Sequence, residues 1–175
     1  MGENTVIKFF ASFCIMLSSV LLGFEIKRNS KTRLDEMAYL CNALELLHGE
    51  LSARPAHLDE LCGELSVKCM GASKKFFSVL SERVACLGEY SFKDIWESAG
   101  KDCFPFLDKR QIDSLLKLGD FMGAYRLSEQ LGAIRNCKDE LEAELILARS
   151  HYEQSRKLFL AVPCSITAVV LVVLM

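Results

Sequence analysis

Residues 126–157, RLSEQLGAIRNCKDELEAELILARSHYEQSRK, contain no proline and a single glycine, Gly132. Leu127, Leu131, Ile134, Cys137, Leu141, Leu145, Ala148 and Tyr152 recur at intervals of three and four. That spacing lays them along one side of an α-helix, a stripe that needs other helices to cover it. The outer face alternates in sign through Lys138, Asp139, Glu140, Glu142, Glu144, Arg149, Glu153 and Arg156, as a solvated helix does. A chain organised around so long an amphipathic helix is predicted to be all-α.

Toward the C-terminus the pattern passes without a break into Leu158–Met175 (LFLAVPCSITAVVLVVLM), 18 uncharged residues that span about 27 Å as a helix. Pro163 there predicts a kink rather than a stop, because a membrane helix tolerates one where the freed carbonyl is satisfied. Toward the N-terminus, Phe9–Phe24 (FFASFCIMLSSVLLGF) gives 16 consecutive uncharged positions. Widened to Val6–Ile26, this stretch reaches about 31 Å, enough to cross a bilayer core. Of the 44 charged side chains, 42 fall in residues 25–157. The reading is a transmembrane helix at 5–26, a cytoplasmic helical bundle at 27–157 and a second transmembrane helix at 158–175.

Orientation follows from the flanking cations. Lys27, Arg28, Lys31, Arg33, Arg149, Arg156 and Lys157 border the middle segment, against Lys8 on the far side. The excess of cations places the middle in the cytoplasm and both termini across the membrane. The competing reading is a signal peptide over residues 1–24 and an exported helical binding module. It lacks a small-x-small cleavage site, since Leu21 and Leu22 stand where small residues are needed.

In the middle segment, Leu34, Met37, Leu40, Cys41, Leu44, Leu47 and Leu51 form a seam that ends near Pro55, with Thr32 and Asp35 as its expected N-terminal capping pair. Shorter helices are predicted through Leu58–Leu65 and Phe76–Leu87, punctuated by Gly71 and Gly88. Ser91 with Asp94 caps a helix carrying Phe92, Ile95, Trp96 and Ala99. Asp108 with Gln111 opens another, carrying Ile112, Leu115, Leu116 and Leu118 and stopping near Gly119. Trp96 and the phenylalanines at 76, 77, 92, 104, 106 and 121 are expected to fill the core.

A net charge of −2 and a pI near 6.0 give no pull toward nucleic acid. The stretches Gly71–Lys75 and Gly100–Asp102 lack the rest of a phosphate loop. His48, His57 and His151 stand apart, and the eight cysteines include no CxxC pair. The cysteines read as reduced, buried thiols. No metal, cofactor or catalytic group is expected, so the chain reads as a non-enzyme.

In order, the features resemble the stage III sporulation protein AB family. They include Gly23-Phe24-Glu25 closing the first span, the leucine-seamed helix from Arg33 to Glu50, Trp96, the LLKLGDFMG stretch at 115–123, Gln130 in the last helix and the terminal VVLM. Ala124-Tyr125-Arg126 departs from the acidic residue the family commonly has after that second glycine.

The resemblance implies a structural and coupling subunit of the channel between mother cell and forespore, in the mother-cell membrane facing the forespore. It is similar to the F domain of the inner-membrane platform protein of type II secretion and type IV pilus systems. The implied partners are the stage III sporulation protein AA ATPase and sibling channel proteins, with room for a homo-oligomer. Candidate partner-binding residues are Glu25, at the rim of the first span, and Arg33, Glu36, Arg126, Gln130 and Arg135, which flank the membrane-proximal helices or the family-like turn.

Overall fold

A computed structural model describes residues 2–53, 57–84, 90–122 and 126–174, with side chains described only within 28–154. The elements are helical: α1 (Gly2–Ala53), α2 (Leu58–Lys68), α3 (Gly71–Val84), α4 (Phe92–Cys103), α5 (Lys109–Phe121) and α6 (Leu127–Leu174). The all-α expectation is met. Among the described residues, no helix is long and apolar enough to cross a membrane. The side chains of both apolar ends, and with them the expected spans at 5–26 and 158–175, lie outside the described residues. Cys14, Cys86, Cys164, Pro55, Pro163 and Glu25 fall there too.

The chain divides into two compact units, Met1–Thr32 with Leu147–Met175, and Arg33–Ile146. In the first, the described backbone is helical throughout.

The second unit holds the core. The α1 seam is buried as its spacing requires, with Met37, Leu40, Leu44 and Leu47 each 1% exposed. From α6, Ile134, Cys137, Leu141 and Leu145 meet the same cluster, one residue for each turn of the predicted stripe. Within this unit α2 packs on α3, α3 on α4 and α4 on α5, and buried residues of these short helices join the cluster that the two seams enter.

Aromatic side chains dominate the centre. Phe76 stands edge-on to Phe77 and Trp96, with ring centroids at 5.2 and 4.8 Å, and tilts against Phe104 at 5.2 Å. Such contacts add about 1 kcal/mol each to the area they bury. Of the six predicted core phenylalanines, Phe76, Phe77 and Phe104 are buried, while Phe92 and Phe106 pack part-buried against the cluster and Phe121 is half-buried.

Three local expectations hold and one is corrected. Ser91 caps α4, its Oγ accepting from Asp94 N at 3.2 Å. Asp108 and Gln111 form the capping box of α5, with Gln111 Oε1 accepting from Asp108 N at 3.0 Å. Thr32 and Asp35 do not cap a helix: α1 runs through them, and Thr32 Oγ1 donates 3.0 Å to the carbonyl of Arg28 inside it. α5 ends at Phe121, near Gly119 as expected, although Gly119 itself lies inside the helix. Gly119 instead lets Trp96 in, since an added Cβ would stand 2.6 Å from Trp96 Cδ1.

Candidate interaction surface

Arg33 enters the bundle at the first turn of the α1 seam and meets the start of α5. Its Nη2 lies 2.6 Å from Asp108 Oδ2 and donates to Gln111 Oε1 at 3.5 Å. Gln111, only 5% exposed, turns its Nε2 to Glu144 Oε2 of α6 at 2.6 Å. Glu144 Oε1 in turn lies 3.7 Å from Arg110 Nε. These residues tie α1, α5 and α6 together by charge-assisted bonds whose geometry fixes helix register. The buried Nε of Arg33 has no hydrogen-bond partner.

One turn along, Glu36 is committed to a different junction. Its Oε2 accepts from Ala72 N at 2.7 Å, capping the N-terminus of α3 from another helix. Gly71, at φ +57°, makes the turn that presents this amide. Any side chain there would also collide with Glu36 and Tyr39.

On α6, Arg126 is exposed just before the first turn, and its carbonyl accepts from Glu129 N at 2.9 Å and Gln130 N at 3.1 Å. Gln130 is half-buried and Arg135 is exposed. Beside Arg135, Lys138 pairs with Glu45 of α1. The hydrogen bond and charge of Lys138 hold the Glu45 carboxyl below the usual carboxylate range, with smaller help from His48 and Arg135. The structure therefore sets Arg33 beside Glu36 on α1, Arg126 beside Gln130 on α6, and Arg135 on the α1 side of α6, without gathering them into one pocket. Glu25 falls outside the described side chains.

The opposite side of α6, toward α5, carries an open groove of about 800 Å³. Lys109, Arg110, Asp113 and Lys117 line it from α5, and Glu129, Gly132, Ala133 and Glu140 line it from α6. Ser114 Oγ donates to Glu140 Oε2 at 2.7 Å across the floor. Sequence reasoning missed this surface. The core seams of α5 and α6 predict which sides are covered, yet the pairing of the two outer faces arises only once the helices dock.

The described thiols suit packing rather than chemistry. Cys41, Cys62, Cys69, Cys103 and Cys137 are buried thiols that form no disulfide. Burial pushes Cys62 and Cys137 up to about 12, and it raises Cys69 and Cys103 as well. Such groups are poor nucleophiles at neutral pH because the reactive thiolate is suppressed. Among the described residues, no three His, Cys, Asp or Glu side chains gather where they could hold a metal ion.

Comparison with known proteins gives the frame. The family model described as stage III sporulation protein AB matches residues 8–175. A search of curated proteins finds no match. A solved structure named "Stage III sporulation protein AB (SpoIIIAB)" superposes with a TM-score of 0.62 at 22% identity, covering 70% of this chain and 97% of that one. At that identity the likeness speaks for the fold alone. The family match spans nearly the whole sequence, both apolar ends included, so the chain belongs to the stage III sporulation protein AB family.

Proposed function

We propose that this protein is a membrane-embedded structural and coupling subunit of the sporulation channel between mother cell and forespore. On this reading the ends at 5–26 and 158–175 anchor it in the mother-cell membrane. The helical middle is held on the cytoplasmic side, where it docks a secretion-type ATPase, the stage III sporulation protein AA. The family assigns the chain to sporulation. The anchoring, the channel and the partner are our reading.

One observation carries it. α1 and α6 hold the charge-free ends of the sequence, and each also lays a buried seam into the core that the short helices complete in the Arg33–Ile146 unit. Load placed on the helical surface of that unit is thereby borne by the same two helices that would sit in lipid. Such a layout serves transmission of work and needs no pocket for a substrate. Docking would then be spread over exposed helix faces, with charged residues steering the encounter.

The test is recovery of the ATPase with the tagged full-length protein from detergent extracts. Recovery falls at least severalfold when Arg126 and Arg135 are both changed to Glu, because reversing charges on a docking face opposes association. Unchanged recovery discards this face as the docking surface.

A further inference from the structure

Charge divides along the same line as the two compact units. In residues 25–32 and 147–157 there are six Lys or Arg against two carboxylates, Glu25 and Glu153, whereas residues 33–146 hold 14 Lys or Arg against 20 Asp or Glu. The cations belong to one unit, since Met1–Thr32 and Leu147–Met175 group together, and the carboxylate excess belongs to the other. A unit with that excess has no attraction of its own for an anionic surface, while cations crowded beside uncharged helices are drawn to one.

The helices set the depth of each cation. α1 is unbroken from Gly2 to Ala53 and α6 from Leu127 to Leu174, so each residue adds about 1.5 Å along its axis. Measured from the uncharged stretches that end at Ile26 and begin at Leu158, Lys27, Arg28, Arg156 and Lys157 lie within about 3 Å and Lys31 within about 8 Å. A headgroup layer extends about 5–7 Å beyond the hydrocarbon core, and long basic side chains keep their charged tips in it. Arg28 and Lys31 are exposed, as is Arg149 farther along α6. Arg33, by contrast, is taken by Asp108, 2.6 Å from its Nη2. The orientation rule needs only an excess of cations within about 15–20 residues of a span. Here five of the ten residues nearest the two spans, 27–31 and 153–157, are Lys or Arg. Such a density at headgroup depth is the pattern that recognises anionic lipid.

We propose that Lys27, Arg28 and Lys31 of α1, with Arg156 and Lys157 of α6, bind the headgroups of anionic phospholipids in the leaflet where the two helices leave the bilayer. This rests on the membrane anchoring proposed above and adds the lipid class that the anchor selects.

The test uses the tagged full-length protein in detergent micelles that carry equal phosphatidylcholine and phosphatidylglycerol. The protein is recovered on its tag, and the lipids that remain bound are counted by mass spectrometry. Phosphatidylglycerol is expected to exceed phosphatidylcholine by about fivefold at low salt, through the summed attraction of the five cations. Raising salt from about 0.05 M to about 0.5 M shortens the reach of that attraction and brings the ratio toward parity. Changing Lys27, Arg28, Lys31, Arg156 and Lys157 together to Gln gives parity at low salt. Changing Lys74, Lys75, Lys101, Lys109 and Lys117 of the other unit to Gln leaves the enrichment in place. Excess glycerol 3-phosphate at matched ionic strength also leaves it in place, because a soluble phosphate lacks the acyl chains that hold the headgroup at this depth. Parity in wild type, an enrichment indifferent to salt, or equal loss in the two sets of variants overturns the proposal. Displacement by glycerol 3-phosphate overturns it too, and gives the site to a soluble phosphate. Carbonate extraction separates this from the anchoring itself: a protein that stays with the membrane yet shows no preference for phosphatidylglycerol keeps the anchor and loses the lipid selection, whereas release from the membrane removes both.

Discussion

The indole Nε1 of Trp96 donates a 2.8 Å hydrogen bond to the backbone carbonyl of Leu115, one turn before the glycine against which the same ring packs. The bond satisfies a buried polar group that would otherwise cost about 1–3 kcal/mol, and it fixes where α4 lies along α5. Gly119→Ala drives a methyl into the ring and is expected to destabilise the protein by about 1–3 kcal/mol. Trp96→Phe loses the donor and leaves a void, for about 2–3 kcal/mol. Chemical denaturation of the full chain measures both, and a Gly119→Ala midpoint at or above wild type contradicts the packing described.

The start of α3 offers two changes of opposite sign. Glu36→Ala removes the carboxylate on Ala72 N and should cost about 1 kcal/mol, as loss of a helix cap does. Ser73, three residues into the helix, is 0% exposed and its Oγ has no hydrogen-bond partner. Ser73→Ala should therefore stabilise by about 1 kcal/mol, because it removes an orphaned polar atom without opening a large cavity. Denaturation midpoints that move in the same direction for the two variants would refute the assignment.

Gln111, buried in α5, bonds to α1 through Arg33, to α6 through Glu144 and to Asp108 at the start of its own helix. Gln111→Ala takes one of two partners from Glu144 and opens the capping box, and a loss of about 2 kcal/mol is expected. Amide hydrogen exchange should rise first in α5, the helix this residue caps. Uniform exchange across the unit would argue against that role.

Raised thiols make stability fall in base. Cys62 and Cys137 move from an ordinary 9.0 to about 12 on burial. In the unfolded chain they ionise from their ordinary value, while in the fold they remain protonated. Their contribution is thus complete below pH 9.0 and is lost as the pH climbs toward about 12. Changing both to Ala should flatten the alkaline limb of the stability profile. In native protein at neutral pH, maleimide should label them slowly compared with unfolded chain.

Glu45 and Lys138 report on the packing of α1 against α6. The carboxyl of Glu45 is held below its usual range by Lys138, so the pair is intact at neutral pH and is lost as the pH falls through that lowered value. In Lys138→Met, side-chain NMR should show Glu45 titrating at a higher pH than in wild type. An unshifted titration would mean that the two helices do not meet there.

Much of this fold was legible because it is local. The α1 and α6 seams follow from helical period, and the caps at Ser91 and Asp108 from side chains that reach only three residues. Thr32 misled for the same reason. A threonine three residues before an acid also occurs inside a helix, where its hydroxyl returns to the preceding turn, as it does to Arg28. Gly119 reads as punctuation until Trp96 arrives from another helix. Glu36 serves a helix start 36 residues away, and no spacing rule carries that far. The candidate residues Arg33 and Glu36 were found by position, yet their bonds within the bundle were not. The groove charges Lys109, Lys117 and Glu129 looked like any solvated face until α5 and α6 were set side by side.

Alkaline carbonate extraction of membranes bearing the full-length protein tests the central claim most directly, since it strips peripheral proteins and leaves those whose helices lie in lipid. The account predicts that the protein remains with the membrane pellet, and that it is released only when both residues 5–26 and 158–175 are replaced by polar sequence. Release of the unaltered protein into the supernatant would contradict it.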